Sequence, residues 1–307
     1  MISRSSSFER IRREPIAPAG AAPASAALRA EILPSATSGS SLPLPPWALA
    51  TGAGLSGDCR LISVRCRAAR AAGDADFARG ARDAYRLLRE QASSLGKPWP
   101  VRAWNFVPGI HDASCDGDRY MTFNIGRHKA MSDWFGSDLA RLAPAATGVG
   151  HDGADLEIHA LVASQPGIAI ENAQQVPAYR YSGRYGRLPP CFARATRAGH
   201  RLMISGTAAV LGEDSRHADS FDRQLRLAMS HLLNVARDGL GARPRFEHVR
   251  VYLPSTAADA CRSEVAAQLL AALGEPAIEF VAADLCRKEL LIEIEAVATT
   301  CPEDRST

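Results

Sequence analysis

The sequence has no apolar run of transmembrane length, so nothing in it predicts a membrane span. It has no block of like charge either. The 36 Lys and Arg stand against 33 Asp and Glu, a net of +3, and the basic residues are spread along the chain. That spread argues against nucleic acid as a partner. An anionic small molecule, by contrast, needs only two or three local arginines. The chain has no Cys-x-x-Cys pair, and its 7 cysteines are an odd count. Neither a disulfide framework nor a zinc site is expected, and a reducing cytoplasm suits such a chain. The 8 histidines are scattered and His-Glu-x-x-His is absent, so no metal is expected. The N-terminal arginines lack a following apolar core, which argues against a secretory signal. Their Arg/Ser/Ala setting would suit a transit peptide, but Glu9, Glu14 and the prolines oppose that reading.

What is present suits a folded chain of two domains. The 307 residues are 46% hydrophobic and 22% charged. Residues 1–45 are rich in Ser, Ala, Pro and Arg, lack periodicity and read as a disordered tail ending at Pro43, Pro45 and Pro46. A first domain is expected over 46–171 and a second over 178–299, joined by a short polar connector. In the first, Leu61–Cys66 and Trp99–Phe106 have strand chemistry. Phe77, Ala81, Tyr85, Leu88 and Ala92 form a helical stripe over Asp76–Leu95, with Asp74 or Asp76 as the cap. A helix is expected to open at Gly126-Arg127 and run through Phe135. Leu156–Ala163 and Gly167–Ile170 read as two closing strands. In the second domain the order is strand (Leu202–Ser205), helix (Asp219–Arg237), strand (Phe246–Leu253), helix (Ala257–Leu273) and two strands (Ala277–Val281, Leu290–Ala298). The fold class is α+β, each domain a mixed sheet with helices packed on one face. The first domain reads as a degenerate copy of the second.

The last strand carries the chemistry. Side chains alternate across a strand, so Ile292, Ile294 and Ala296 share one face and Leu291, Glu293 and Glu295 the other. The two carboxylates then point to solvent or into a cleft, and the residues alone leave both open. Arg287 lies just before the strand. A guanidinium beside a carboxylate row can hold an acidic substrate next to a general acid. Cys286 reads more readily as a small packing residue than as a nucleophile. Upstream, Val176–Ala195 is a long loop with Tyr179, Tyr181, Tyr185 and several arginines, among them Arg194. A loop of this length is more often functional than a simple connection. Ile204-Ser-Gly-Thr-Ala208 ends a strand in small residues, which leave room for a ligand. Trp104, Phe106, Tyr120 and Phe123 read as packing. His217 reads as a solvated loop histidine outside the site. Arg127, placed at a helix start, is a weaker candidate for an anion.

An Arg followed by an apolar-Glu-Ile-Glu-Ala strand resembles the closing strand of the YjgF/RidA-type (chorismate-mutase-like) fold. Four further segments resemble the chorismatases, relatives of that fold that remove the enolpyruvyl group of chorismate. They are Arg102-Ala-Trp-Asn-Phe-Val-Pro-Gly-Ile110, Arg119-Tyr-Met-Thr-Phe-Asn-Ile-Gly-Arg127, Arg184-Tyr-Gly-Arg-Leu-Pro-Pro-Cys-Phe-Ala-Arg-Ala195 and Ile204–Ala208. The resemblance spans roughly residues 58–298. It implies two RidA-like domains, chorismate as substrate, pyruvate as one product and no cofactor. It implies Glu293 as the general acid, Arg287 and Arg194 on the substrate carboxylates, and Tyr185, Tyr179 and Arg127 in the pocket. Cys286, seven residues before the acid, resembles the branch that forms 3-hydroxybenzoate, some members giving 4-hydroxybenzoate as well, for pigment or other secondary metabolism. The alternatives are a chorismate hydrolase giving a dihydroxycyclohexadiene carboxylate, a RidA-type enamine/imine deaminase and a non-catalytic small-ligand binder. The family fold leaves a homotrimer and a monomer both open. Two positions depart from the pattern: His111 stands where Asn is expected, and Tyr252-Leu-Pro254 lacks a basic residue.

Overall fold

The computed structural model describes residues 28–33, 40–51, 58–241, 243–254 and 261–300. The first sheet is built from β1 (Ala30–Ile32), β2 (Arg60–Cys66) and β3 (Trp99–Pro108). A small hairpin, β4 (Ala113–Ser114) and β5 (Gly117–Asp118), follows, and then β6 (Ala145–His151) and β7 (Leu156–Ala163). The second sheet holds β8 (Ile168–Ile170), β9 (Ala195–Ala198) and β10 (Arg201–Ala208). After the hairpin of β11 (Val210–Leu211) and β12 (Asp214–Ser215) it is completed by β13 (Pro244–Leu253), β14 (Ala277–Ala282) and β15 (Glu293–Thr300). The helices are α1 (Pro46–Thr51), α2 (Asp74–Ser94), α3 (Arg119–Phe135), the single turn α4 (Leu139–Leu142), α5 (Phe221–Leu240) and α6 (Arg262–Leu273).

The strand orders are β1-β2-β7-β3-β6 and β14-β13-β15-β10-β9-β8. In each sheet one pair, β3–β6 or β13–β14, is parallel, and the other pairs are antiparallel. The cores β2-β7-β3-β6 and β10-β15-β13-β14 share one connectivity, as duplication requires. Helix stripes bury one face of each sheet. Phe77, Tyr85 and Leu88 of α2 pack on Val64 and Ile158, and Leu225, Leu232 and Val235 of α5 pack on Ile204 and Ile294. The other faces meet each other, with Trp104, Phe106 and Leu161 opposite Met203, Tyr252 and Val297. Burial of these three clusters supplies most of the driving force for the fold.

Several expectations are corrected. Residues 1–27 and 34–39 lie outside the described residues, but the expected tail is structured where described. Ala30–Ile32 pairs with β2, and Leu42 and Leu44 are buried between the sheets. Ser40 and Ser41 hydrogen-bond Glu157 through Ser40 Oγ at 2.6 Å and Ser41 N at 3.2 Å. Arg250 donates to the Pro43 carbonyl at 2.6 Å, so this segment straps the two sheets together. Ile168–Ile170 does not close the first sheet beside β7; it pairs with β9 at the edge of the second. The α2 cap is Gly73, without a side-chain hydrogen bond, while Asp74 instead accepts from Cys115 N at 2.8 Å. The α3 helix begins at Arg119, where Asp118 accepts from Met121 N at 2.8 Å, so Gly126-Arg127 lies mid-helix. Residues 257–260 of the expected second-domain helix lie outside the described residues.

Candidate active site

β15 turns Glu293 and Glu295 inward, towards the first sheet. Both carboxylates are buried, Glu293 at 4% exposure and Glu295 at 2%, and only one of them is partnered. Glu295 accepts from Arg102 Nη2 at 2.6 Å, Thr147 Oγ1 at 2.5 Å, Trp104 Nε1 at 3.0 Å and Tyr252 Oη at 3.2 Å. Alternation along β3 places Arg102 and Trp104 on the same inter-sheet face. Glu293 has no hydrogen-bond partner among the described residues. Burial and the neighbouring charge of Glu295 push its carboxyl up to about 8, against the pull of Arg102. Such a group carries a proton at neutral pH.

Glu293 fits because of Gly206. The register of β10 against β15 shifts between Ile204 and Thr207, a bulge at Ser205-Gly206. A Cβ at Gly206 would stand 1.8 Å from Glu293 Oε1. The small residues of this segment make room for the acid, and Gly206 and Ala208 also line the cavity beside it. The bulge is pinned to the first sheet by Gly206 N donating to Thr147 Oγ1 at 3.0 Å and by Ala146 N donating to Ser205 Oγ at 2.8 Å.

Glu293 closes one end of a cavity of about 430 Å³ that also takes in Arg287, Arg194, Tyr185, Tyr181 and Cys286. The Arg287 guanidinium lies 3.7 Å over the Tyr185 ring, and its Nη1 donates to Glu213 O at 2.8 Å and Ser215 Oγ at 3.0 Å. Its other nitrogens have no hydrogen-bond partner among the described residues. Arg194 Nη2 donates to Val176 O at 2.9 Å and Tyr181 Oη at 2.8 Å, while its Nε is buried and unpartnered. Cys286 lines the wall. Burial and the charge of Glu293 push its thiol up to about 12, so it is no ready nucleophile. Arg184, Arg194, Arg287 and Lys288, three tyrosines and the protonated Glu293 line this partly apolar cavity, with Asp118 and Glu289 as its other carboxylates, a net positive wall that suits a small anion with a ring.

Glu293, Arg287, Arg194, Tyr185 and Cys286 are thus brought together. Tyr179 is not: it lies outside the cavity wall, beside Glu171 and Arg180. Tyr181, two residues on, takes the wall position instead. Arg127 is buried in α3 between aromatic neighbours, 5.3 Å from the Phe123 ring and 5.9 Å from that of Phe192. It does not line the cavity, but its Nε and Nη2 lack partners, and its neighbours Tyr120 and Phe192 are wall residues. Arg102, Thr147 and Tyr252 are the partners that sequence reasoning missed, and Trp104, read as packing, is another. Among the described residues no three His, Cys, Asp or Glu side chains are grouped to hold a metal ion, and no helix is long and apolar enough to cross a membrane.

Comparison with known proteins gives a consistent result. Residues 54–162 match a family described as chorismatase FkbO/Hyg5-like, N-terminal. A protein of Streptomyces hygroscopicus named 3-hydroxybenzoate synthase is 32% identical over 72% of this chain and 69% of its own length. A chorismatase of Streptomyces rapamycinicus is 30% identical over 72% of this chain and 70% of its own. A crystal structure of a chorismatase superposes with a TM-score of 0.67 at 30% identity, covering 79% of this chain and 75% of that one.

Proposed function

Because this chain belongs to the chorismatase family, we propose that it is an enzyme that converts chorismate, releasing pyruvate, with Glu293 as its general acid. The observation that carries the reading is the buried, unpartnered Glu293 carboxyl, held up at about 8, in one cavity with Arg287 and Arg194. The enol ether of chorismate is electron-rich at its methylene carbon. Proton delivery there gives an oxocarbenium-like centre, and the bond from the ether oxygen to the ring then breaks as pyruvate leaves. A carboxyl that stays protonated near neutrality is the acid this step needs. Arg287 and Arg194 hold the carboxylates, and Tyr185 and Tyr181, with ring centroids 5.5 Å apart, form one wall beside the ring. Arg127 supports this wall from behind through Tyr120 and Phe192. Such acid help is typically worth about 10²–10⁴-fold in rate, and positioning supplies much of the rest.

For the product we propose 3-hydroxybenzoate, with or without 4-hydroxybenzoate beside it. The ring hydroxyl displaces the enolpyruvyl oxygen and the ring then aromatises. Support comes from Cys286 in the wall and from the relative named 3-hydroxybenzoate synthase. The test is incubation with chorismate, following pyruvate by a coupled assay and ring products by chromatography, with Glu293→Gln beside wild type. Pyruvate with 3-hydroxybenzoate, both lost in Glu293→Gln, is the expected result. Pyruvate with a diene acid reverses the product assignment, and no pyruvate from folded wild type overturns the reading.

A further inference from the structure

A buried amide outside the cavity holds the segment that carries Arg287. Residues 283–292 connect β14 to β15, and Cys286 to Leu290 of this connection line the cavity. Its first part is tied to the other half of the chain. Gly150 N donates to Asp284 O at 2.7 Å, and His111 Nε2 lies 2.7 Å from Leu285 O. Its last part is tied by Gln224, the fourth residue of α5, which is fully buried. Gln224 Nε2 donates to Glu289 O at 2.8 Å and to His217 O at 3.2 Å, and its Oε1 accepts from Leu291 N at 2.8 Å. A primary amide has two N–H groups and one carbonyl, so all of them are used and one orientation of the amide fits. The third bond reaches a different segment. His217 has a left-handed φ of 57°, and its carbonyl accepts from Ser220 N at 3.0 Å as well as from Gln224. Just before it, Glu213 O and Ser215 Oγ accept from Arg287 Nη1. Gln224 thus joins the segment that carries Arg287 to the one its guanidinium leans on. Glu293 is held differently: β15 pairs it with Ala208 on one side and Tyr252 on the other.

Resting on the chorismate reading, we propose that Gln224 is a positioning residue that sets where Arg287 presents its guanidinium to a substrate carboxylate. Gln224 does not line the cavity and touches no substrate; it acts through the backbone on either side of Leu290. An apolar side chain in its place strands Glu289 O, His217 O and Leu291 N in a dry site, where an unmade hydrogen bond is costly. The connection then shifts to reach water, and Arg287 shifts with it. The sheet keeps Glu293 in place. Substrate is held less well, while proton transfer to bound substrate proceeds as before. The loss therefore falls on KM and not on kcat.

The discriminating variant is Gln224→Met, which keeps the length of the side chain and deletes all three bonds. Gln224→Glu keeps the shape and the acceptor for Leu291 N, and it serves if the methionine fails to fold. Each is made alone and together with Arg287→Lys, folding is verified by melting, and KM and kcat for pyruvate release are measured. We expect Gln224→Met to raise KM by about tenfold or more with kcat within about threefold of wild type, and Gln224→Glu to lie between the two. The double variant should have a KM within about threefold of Arg287→Lys alone, because both changes act through one guanidinium. KM effects that multiply in the double variant overturn the proposal and leave the chorismate reading intact. So does a wild-type KM in folded Gln224→Met, with or without a fall in kcat. Failure of both single variants to fold assigns Gln224 to the core alone and overturns the proposal as well. A wild type giving no pyruvate overturns the chorismate reading and the proposal with it.

Discussion

Gly206 and Glu293 occupy one space: a methyl group on the first would lie 1.8 Å from a carboxylate oxygen of the second. The backbone at Gly206 is not in the left-handed region, so alanine is conformationally allowed there and its effect is on the acid. Gly206→Ala should push the Glu293 carboxyl out of place and lower pyruvate release by at least about 10²-fold. Steady-state assay beside a melting curve tests this. Unchanged turnover in a folded variant would show that Glu293 is not the acid.

The raised proton affinity of Glu293 has a definite sign. The acid works while protonated, so activity should hold below about pH 8 and fall above it. The folded carboxyl sits above its ordinary value of 4.5, so its contribution to stability is complete below that value and is lost as pH rises through about 8. Glu293→Gln removes that loss. Its melting temperature should gain on wild type between pH 5 and pH 9, and parallel curves would contradict the assignment.

Arg102 and Glu295 form a buried ion pair at 2.6 Å joining the two sheets. Arg102→Met strands a buried carboxylate and should cost about 3–5 kcal/mol in denaturant unfolding. Adding Glu295→Leu should recover much of the stability, because an apolar pair has no such charge to strand. The double variant should keep measurable pyruvate release at pH 7, since burial, the larger cause, still keeps Glu293 protonated and the opposing pull of Arg102 is gone as well.

Arg287 combines a stack on Tyr185 with two hydrogen bonds to the loop around β12. Lysine keeps the charge but neither the planar stack nor the fork of donors. Arg287→Lys should raise KM for chorismate by about tenfold or more, with a smaller change in kcat. A KM equal to that of wild type would remove Arg287 from substrate binding.

Much of this was legible from strand alternation. The period of two already put Glu293 and Glu295 on one face of β15, and the helix stripes gave α2 and α5. What the period cannot say is which surface that face meets. Three of the four partners of Glu295 come from β3 and β6, roughly 150–190 residues earlier, so only tertiary structure joins them. Arg102-x-Trp104 carried a usable signal, since an arginine and an indole N–H alternate inward on an apolar strand. Tyr179 and Tyr181 were not separable, because the segment is a single 3₁₀ turn with neither strand nor α-helix period. Arg127 was misjudged because the polar residues before it hid a helix start at Asp118.

The strap at Ser40-Ser41 also bears on stoichiometry. In the first sheet Glu157 stands opposite Phe106, near the end of β3, and His159 opposite Trp104. In the second, Glu293 stands opposite Tyr252, near the end of β13, and Glu295 opposite Arg250. Glu157 is thus the first half's counterpart of the acid, but the two serines and Arg65 already occupy its oxygens. The chain's own Ser40-Ser41 segment thus fills the first of two equivalent seats. A calorimetric titration with an unreactive chorismate analogue should saturate at one molecule per chain.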